Sequence, residues 1–380
     1  MKFLFASDSF KGSLTSEQIS SLLDKAARKN FPGCETAGLH VADGGEGTVD
    51  AVIAAVKGTM VSVKVQGPLL EEETGTYGML NENSAIIEMA AASGLPMVPS
   101  GKRNPLKTNS VGTGELIKDA LDKGCRQISI ALGGSATNDG GMGAMTALGV
   151  KFFDQNGKEL AGAGEDLAKV SRIDLSGMHP AVKDTQFTVM CDVTNPLCGE
   201  TGATYTFGMQ KGADTEKLKI LEAGMVHYAG VVKEQLGVDA ADMPGAGAAG
   251  GLGFALKVFL NATLKSGIET VLDLIDFDSY LEGTDLVVTG EGRMDWQSAY
   301  GKVPSGVGKR CKAKGIPVIA IVGGMGKDAQ AIYDFGVDSI IPTANGPLSL
   351  EFAIEHAEEL YADVADRMFR MLKAGMALKK

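Results

Sequence analysis

The two ends of this chain carry the same alternation of short apolar runs and amphipathic helices, and few architectures satisfy both ends at once. KFLFA (2–6) is the kind of run that forms a buried strand. It leads through SDSFKGSLTSEQ into a helix on which Ile19, Leu22, Leu23 and Ala26 recur at helical spacing, with Thr15 and Gln18 placed for a capping box. A strand around ETAGLHV, the loop ADGGEGT and a helix over VDAVIAAVK follow. Near the C-terminus DLVVTG (285–290), PVIAIVG (317–323) and DSIIPTA (338–344) read as strands. Helices are expected near 304–315, over KDAQAIYDFG, and from about Leu350 to Leu372. Such alternation favours a parallel sheet with helices on both faces. The middle of the chain breaks the pattern: TMVSVKVQG alternates with period two, and TYGMLNENSAIIEMA reads as two strands joined by an Asn-Glu-Asn turn. The expectation is an α/β protein in which a flavodoxin-like, doubly wound parallel sheet domain, residues 1–60 and 277–380 with strand order 2-1-3-4-5, is interrupted by a second, mixed α/β domain, residues 61–276.

Glycine stands out in the composition, at 51 of 380 residues, about 13% against a usual ~7%. The glycines gather at the ends of apolar runs, as in ALGGSATNDGGMG (131–143), which follows the strand-like CRQISI. Such a loop is either a tight turn or a cradle in which bare backbone N–H groups meet an anion. A net charge of −11 opposes binding to a nucleic-acid backbone but not to a small phosphate. The five cysteines include no CxxC pair and the four histidines are scattered, so neither a disulfide framework nor a zinc site is indicated. MKFLFASDSFKG has too short an apolar run for a signal peptide, and GAGAAGGLGFALKVFLNATL (245–264), interrupted by Lys257 and Asn261, reads as a buried helix. A soluble cytoplasmic enzyme is expected, with neither nucleic acid nor membrane as partner. A homodimer is compatible with the sequence, although nothing in it requires one.

Open parallel sheets bind ligands where the strand order reverses, here between the first and third strands. The loop after strand 1 holds Asp8, Ser9 and Lys11; that after strand 2 holds Asp43, Gly44, Gly45 and Glu46; that after strand 3, TGEGRMDWQS, holds Glu291, Arg293 and Asp295. A lone Asp or Lys is usually a solvated surface charge, but three strand-end loops with the same mixture of glycine and charge argue for one mouth. Acids of this kind suit Mg²⁺ held partly by substrate phosphates, and Lys and Arg suit a transferring phosphoryl group. The insert adds Gly133, Gly134, Ser135, Thr137, Asn138 and Asp139, then Asp192 and Asn195 in CDVTNPLCG, then Gln210 and Lys211 in FGMQKGA. Gly245, Gly247 and Gly250 fit GxGxxG, but polar DAADMP precedes them where a dinucleotide fingerprint needs a strand. There is no Walker motif, HExxH or GxSxG. The residues alone thus point to a Mg²⁺-dependent, phosphoryl-transferring enzyme of unspecified acceptor.

The ordered series DSFKGSL, ADGGEGT, EMAAASGL, VGTGELI, LGGSATNDGGMG, CDVTNPLCG, FGMQKGA, GAGAAGGLG and TGEGRMDWQSAYGKVPSGV spans nearly the whole chain and resembles the bacterial glycerate kinase family. Departures are conservative: His40-Val41 precedes ADGG where a proline-like residue is expected, and Ser298 stands where threonine is common. The resemblance implies ATP-dependent phosphorylation of D-glycerate in an inter-domain cleft, at the 2-hydroxyl to give 2-phosphoglycerate. The 3-hydroxyl or a related hydroxy acid is the alternative acceptor, and a non-catalytic hydroxy-acid sensor is the remote one. Under that reading Lys11 and Arg293 stabilise phosphate charge or clamp the carboxylate, Asp192 or Asp8 accepts the hydroxyl proton, and Asp43, Glu46 and Glu291 are the Mg²⁺ candidates. Ser9, Gly44, Gly45, Gly133, Gly134, Ser135, Thr137, Asn138, Asp139, Asn195, Gln210, Lys211, Gly247 and Gly250 are the substrate- or phosphate-binding candidates.

Overall fold

The protein is described here from a computed structural model covering residues 1–45 and 47–378. The described chain divides into two compact units, the first formed by 1–43, 54–56 and 267–380 and the second by 44–53 and 57–266.

Unit 1 is built on a parallel sheet of five strands: β1 (Lys2–Ser7), β2 (Glu35–His40), β3 (Leu286–Met294), β4 (Val318–Met325) and β5 (Ser339–Pro342). Their order across the sheet is β5-β4-β3-β1-β2, the expected 2-1-3-4-5 arrangement. β1 is an interior strand, pairing with β2 from Lys2↔Glu35 and with β3 from Phe3↔Leu286. Its side chains alternate between two covered faces. Phe3 and Phe5 join the core made with the Ser16–Asn30 and Ala357–Ala377 helices, while Leu4 and Ala6 are as fully buried on the opposite side. The first of these helices starts at the expected box: Thr15 accepts from the Gln18 N–H, and the Gln18 side chain accepts from the Thr15 N–H.

Three elements differ from the sequence expectation. β3 does not end at Gly290 but runs to Met294, because β4 also extends and pairs Glu291↔Val322 and Arg293↔Gly324. The long final helix is two, Leu350–Glu355 and Ala357–Ala377, divided at His356, whose ring stacks on Phe352 and lies 3.1 Å from the Phe352 carbonyl. Residues 329–335 form 3₁₀ turns instead of an α-helix.

Unit 2 holds a mixed six-stranded sheet. Thr59–Gln66, Glu72–Asn81 and Ser84–Glu88 form an antiparallel meander, and Gln127–Ala131, Gln186–Met190 and Thr263–Lys265 extend it in parallel. A core of its own includes Tyr77, Ile87, Leu116, Ile130, Phe152, Val189, Tyr228 and Phe254. The helix expected within 245–264 spans Ala248–Leu260, but Ala249, Gly250 and Gly251 are left-handed, so its first turn is wrung away from the rest. No helix among the described residues is long and apolar enough to cross a membrane.

Candidate active site

In unit 1 the carboxyl ends of the strands surround a cavity of about 610 Å³. The loop after β1 enters it because Phe10 and Leu14 are sunk in the core, bridged to each other through the Phe10 N–H to Leu14 carbonyl bond, with Phe10 edge-on to Tyr361. That anchoring leaves Asp8, Ser9 and Lys11 on the cavity wall. Buried Val41 and Ala42 carry the chain out of β2 and set Asp43 on the same wall, and the extension of β3 supplies Glu291, Gly292 and Arg293. The expected convergence of the three strand ends is therefore present for Asp8, Lys11, Asp43, Glu291 and Arg293. Asp295 is not part of it: its carboxylate accepts from the Gln297 N–H and caps the turn Trp296–Ala299. Glu46 lies outside the described residues.

The acids are held in a state that favours a cationic or protonic guest. Burial raises Asp8 to about 6, and Asp43 pushes the same way against the Ser9 N–H, Lys11 and Lys302. Glu291, 5% exposed, is raised to about 7 by burial, with Ser298 and Lys302 opposing and Asp8 and Asp43 adding to the rise. Its Oε2 lies 3.7 Å from Lys302 Nζ, whereas its buried Oε1 has no hydrogen-bond partner. An orphaned carboxylate oxygen among like charges is an invitation to a hard cation. No cluster of three His, Cys, Asp or Glu able to hold a metal by itself occurs among the described residues. The carboxylates of Asp43 and Glu291 on this wall are of the kind that Mg²⁺ takes one or two at a time, completing its shell with phosphate oxygens and water.

The sequence candidates of unit 2 separate into surface and interior. Gly133 and Gly134 are exposed, and the backbone of Gly133 approaches that of Gly44 and Gly45 so closely that a Cβ on Gly133 would lie 3.6 Å from Gly45 Cα. Ser135 is half-buried and bridged to Gly94. Asp192 and Gln210 are exposed, and Asn195 donates to the Thr201 carbonyl at 2.7 Å. Thr137, Asn138, Asp139 and Lys211, by contrast, are at most 2% exposed. Asp139 accepts from Ser110 N and Oγ and from the N–H groups of Gly141 and Gly143, tying the loop to the starts of two helices. Burial pushes its carboxyl up while these donors hold it down. Lys211 donates to the Thr137 carbonyl at 2.6 Å, and burial lowers it to about 7 against the pull of Asp139. Asn138 donates to Thr204 Oγ1. Gly247 and Gly250 are buried as well; a Cβ on Gly250 would fall 2.0 Å from the Thr137 carbonyl oxygen. These six residues form the underside of the glycine loop, where side chains shape the backbone and do not face solvent.

Sequence reasoning missed Lys302, Thr343, the Gly323-Gly324 segment and the apolar residues Met325, Leu350, Ala353, Ile354 and Ala357, all of which line the cavity. Lys302 was legible as the residue before the proline-started helix Val303–Lys314, but the others come from β4, β5 and the two helices beyond, where the glycines and charges of VGGMGKD were not singled out as part of a site.

Comparison with known proteins agrees with this architecture throughout the chain. The chain is 44% identical to a glycerate kinase of Bacillus subtilis (strain 168), over 100% of its own length and 99% of that protein's. It is also 44% identical to the glycerate 2-kinase of Escherichia coli (strain K12), over 99% of both. A crystal structure described as a glycerate kinase 2 from Salmonella typhimurium LT2 superposes with a TM-score of 0.90 at 42% identity, covering 99% of each chain. The profile of the glycerate kinase family matches residues 3–373, which takes in both units and every loop described above: the chain belongs to the glycerate kinase family.

Proposed function

We propose that this chain transfers the γ-phosphoryl group of ATP to the 2-hydroxyl of D-glycerate, giving 2-phosphoglycerate and ADP. The observation that carries the reading is the meeting of Asp8, Asp43 and Glu291 with Lys11, Arg293 and Lys302 on one cavity. Family membership supports kinase chemistry and the acceptor, and the name of the Escherichia coli relative favours the 2-position.

In the proposed reaction a bond forms between the acceptor oxygen and the γ-phosphorus as the bond to the ADP oxygen breaks, and the hydroxyl proton passes to Asp8. Phosphoryl transfer asks more for placement and charge stabilisation than for a strong base, so a carboxylate that titrates at about 6 serves. Lys11, Arg293 and Lys302 offset the charge spread over the transferring oxygens. Asp43 and Glu291 would hold Mg²⁺, which when bound neutralises phosphate charge and orients the donor. In unit 2 the backbone of Gly44, Gly45, Gly133, Gly134 and Ser135 is the anion-binding candidate, with Asp192, Asn195 and Gln210 as the polar side chains proposed to meet substrate. Thr137, Asn138, Asp139, Lys211, Gly247 and Gly250 act beneath it. The five free cysteines fit a reducing, cytoplasmic setting.

Phosphorus NMR of the purified protein with Mg-ATP and D-glycerate tests the reading. A product phosphorus split by one carbon-bound proton is expected. Splitting by two such protons moves the acceptor to the 3-hydroxyl, and the absence of a product at any acceptor concentration removes the kinase reading.

A further inference from the structure

The cavity of unit 1 is lined by two chemically different sets of residues. One is the charged cluster of Asp8, Lys11, Asp43, Glu291, Arg293 and Lys302; the other is a shelf of Met325, Leu350, Ala353, Ile354 and Ala357. Three of the shelf residues are conspicuously open for their type: Leu350 is 78% exposed, and Met325 and Ile354 are 42% exposed. Gly323-Gly324 lines the same cavity and directly precedes Met325, and a Cβ placed on Gly324 would meet nothing, so bare backbone faces open space beside that shelf residue.

A volume of about 610 Å³ lies within the range of sites that take cofactor-sized molecules and far exceeds what a small hydroxy acid fills. Glycerate, polar on every carbon, gains nothing from leucine, isoleucine and methionine. ATP is the one reactant that is polyanionic at one end and flat and apolar at the other. We infer that unit 1 is the nucleotide-binding unit, with the adenine ring on the shelf formed by Met325, Leu350, Ala353, Ile354 and Ala357 and the triphosphate on Lys11, Arg293 and Lys302. This assignment rests on the kinase reading above and deepens it, since it places the donor and names the residues that recognise its base.

The absence of a Walker motif then has a structural counterpart. The base is held mainly by a short helix past the last strand, and cationic side chains from the loop after β1, the end of β3 and the start of the following helix do the work that a single phosphate loop does elsewhere. Leu350, Ala353, Ile354 and Ala357 stand at helical spacing i, i+3, i+4 and i+7, so the short helix and the start of the next present them on one face to the cavity.

The test is direct binding without acceptor, by isothermal titration of the full chain with ATP and, separately, with inorganic tripolyphosphate in the presence of Mg²⁺. Leu350→Gln and Ile354→Gln remove apolar contact without adding charge, and both positions are exposed enough for the variants to fold. The inference expects each to weaken ATP binding about tenfold while tripolyphosphate binding stays within twofold of the parent. In turnover, KM for ATP rises and KM for glycerate does not. Unchanged ATP affinity in both variants overturns the shelf, as does an equal loss for ATP and tripolyphosphate or a loss confined to glycerate. If the parent chain binds no ATP at all, the kinase reading fails with it, and that result is distinguishable from failure of the shelf alone.

Discussion

Asp8 and Glu291 set the behaviour of the site with pH, and the direction follows from their raised acidities. The ionised form of Asp8 is the proton acceptor, so kcat/KM should fall as pH drops through about 6, and Asp8→Asn should lower kcat by about 10²–10⁴-fold. Stability runs the other way. A carboxyl raised from 4.5 to about 7, as Glu291 is, binds its proton more tightly in the folded chain than in the unfolded one. Its contribution is therefore greatest at low pH and is lost as pH rises from the ordinary value through about 7. Glu291→Gln, melted without divalent cations, should be more stable than the parent at pH 8 by roughly 1–3 kcal/mol and no different at pH 4. Asp139 is raised by burial in the same direction, but its carboxyl meets four donors and has a lysine in its field. Asp139→Ala strands those groups and should cost about 3–5 kcal/mol in chemical denaturation. At this scale the sequence was legible where charge follows a strand: Asp8, Lys11, Asp43, Glu291 and Arg293 were found from position alone. It was not legible where burial decides, because LGGSATNDGGMG looks the same whether Thr137, Asn138 and Asp139 face a ligand or one another.

Among elements, those whose pattern is local could be read and those decided by a distant partner could not. The capping box at Thr15 needs only residues three apart, and Thr15→Ala should cost about 1 kcal/mol with no effect on turnover. The continuation of β3 to Met294 depends on β4 supplying Val322 and Gly324 opposite, which no window around GEGRM reveals. The break at His356 is local, with its ring on Phe352 four residues back, yet helical spacing continues through it and hides it. The glycines of the GxGxxG stretch have a packing purpose that their spacing does not announce. Gly250 sits at φ +66° with the Thr137 carbonyl where a methyl would go. Gly250→Ala should therefore either abolish soluble expression or lower the melting temperature by more than any surface change described here.

For the whole molecule, two separate hydrophobic cores mean that one melting temperature need not describe the chain. Trp296 is the only tryptophan in the sequence and belongs to unit 1, so its fluorescence follows that unit, whereas circular dichroism follows both. Mg-ATP at about a hundred times its dissociation constant should stabilise the fluorescence transition by about 2.7 kcal/mol, and a transition that reports unit 2 alone should move less. The interior place of β1, between β2 and β3, has a further consequence, in the order of synthesis. Its partner β3 lies far along the chain, and the bond from the Thr289 hydroxyl to the Ala6 carbonyl spans 283 residues. A ribosome adding about 5–20 residues per second leaves the first strand without that neighbour for roughly a quarter of a minute to a minute. All of unit 2 is translated in that interval, so the guest has time to fold before its host can close, and a nascent chain stalled near residue 270 should already resist protease over the insert while its first forty residues remain cleavable.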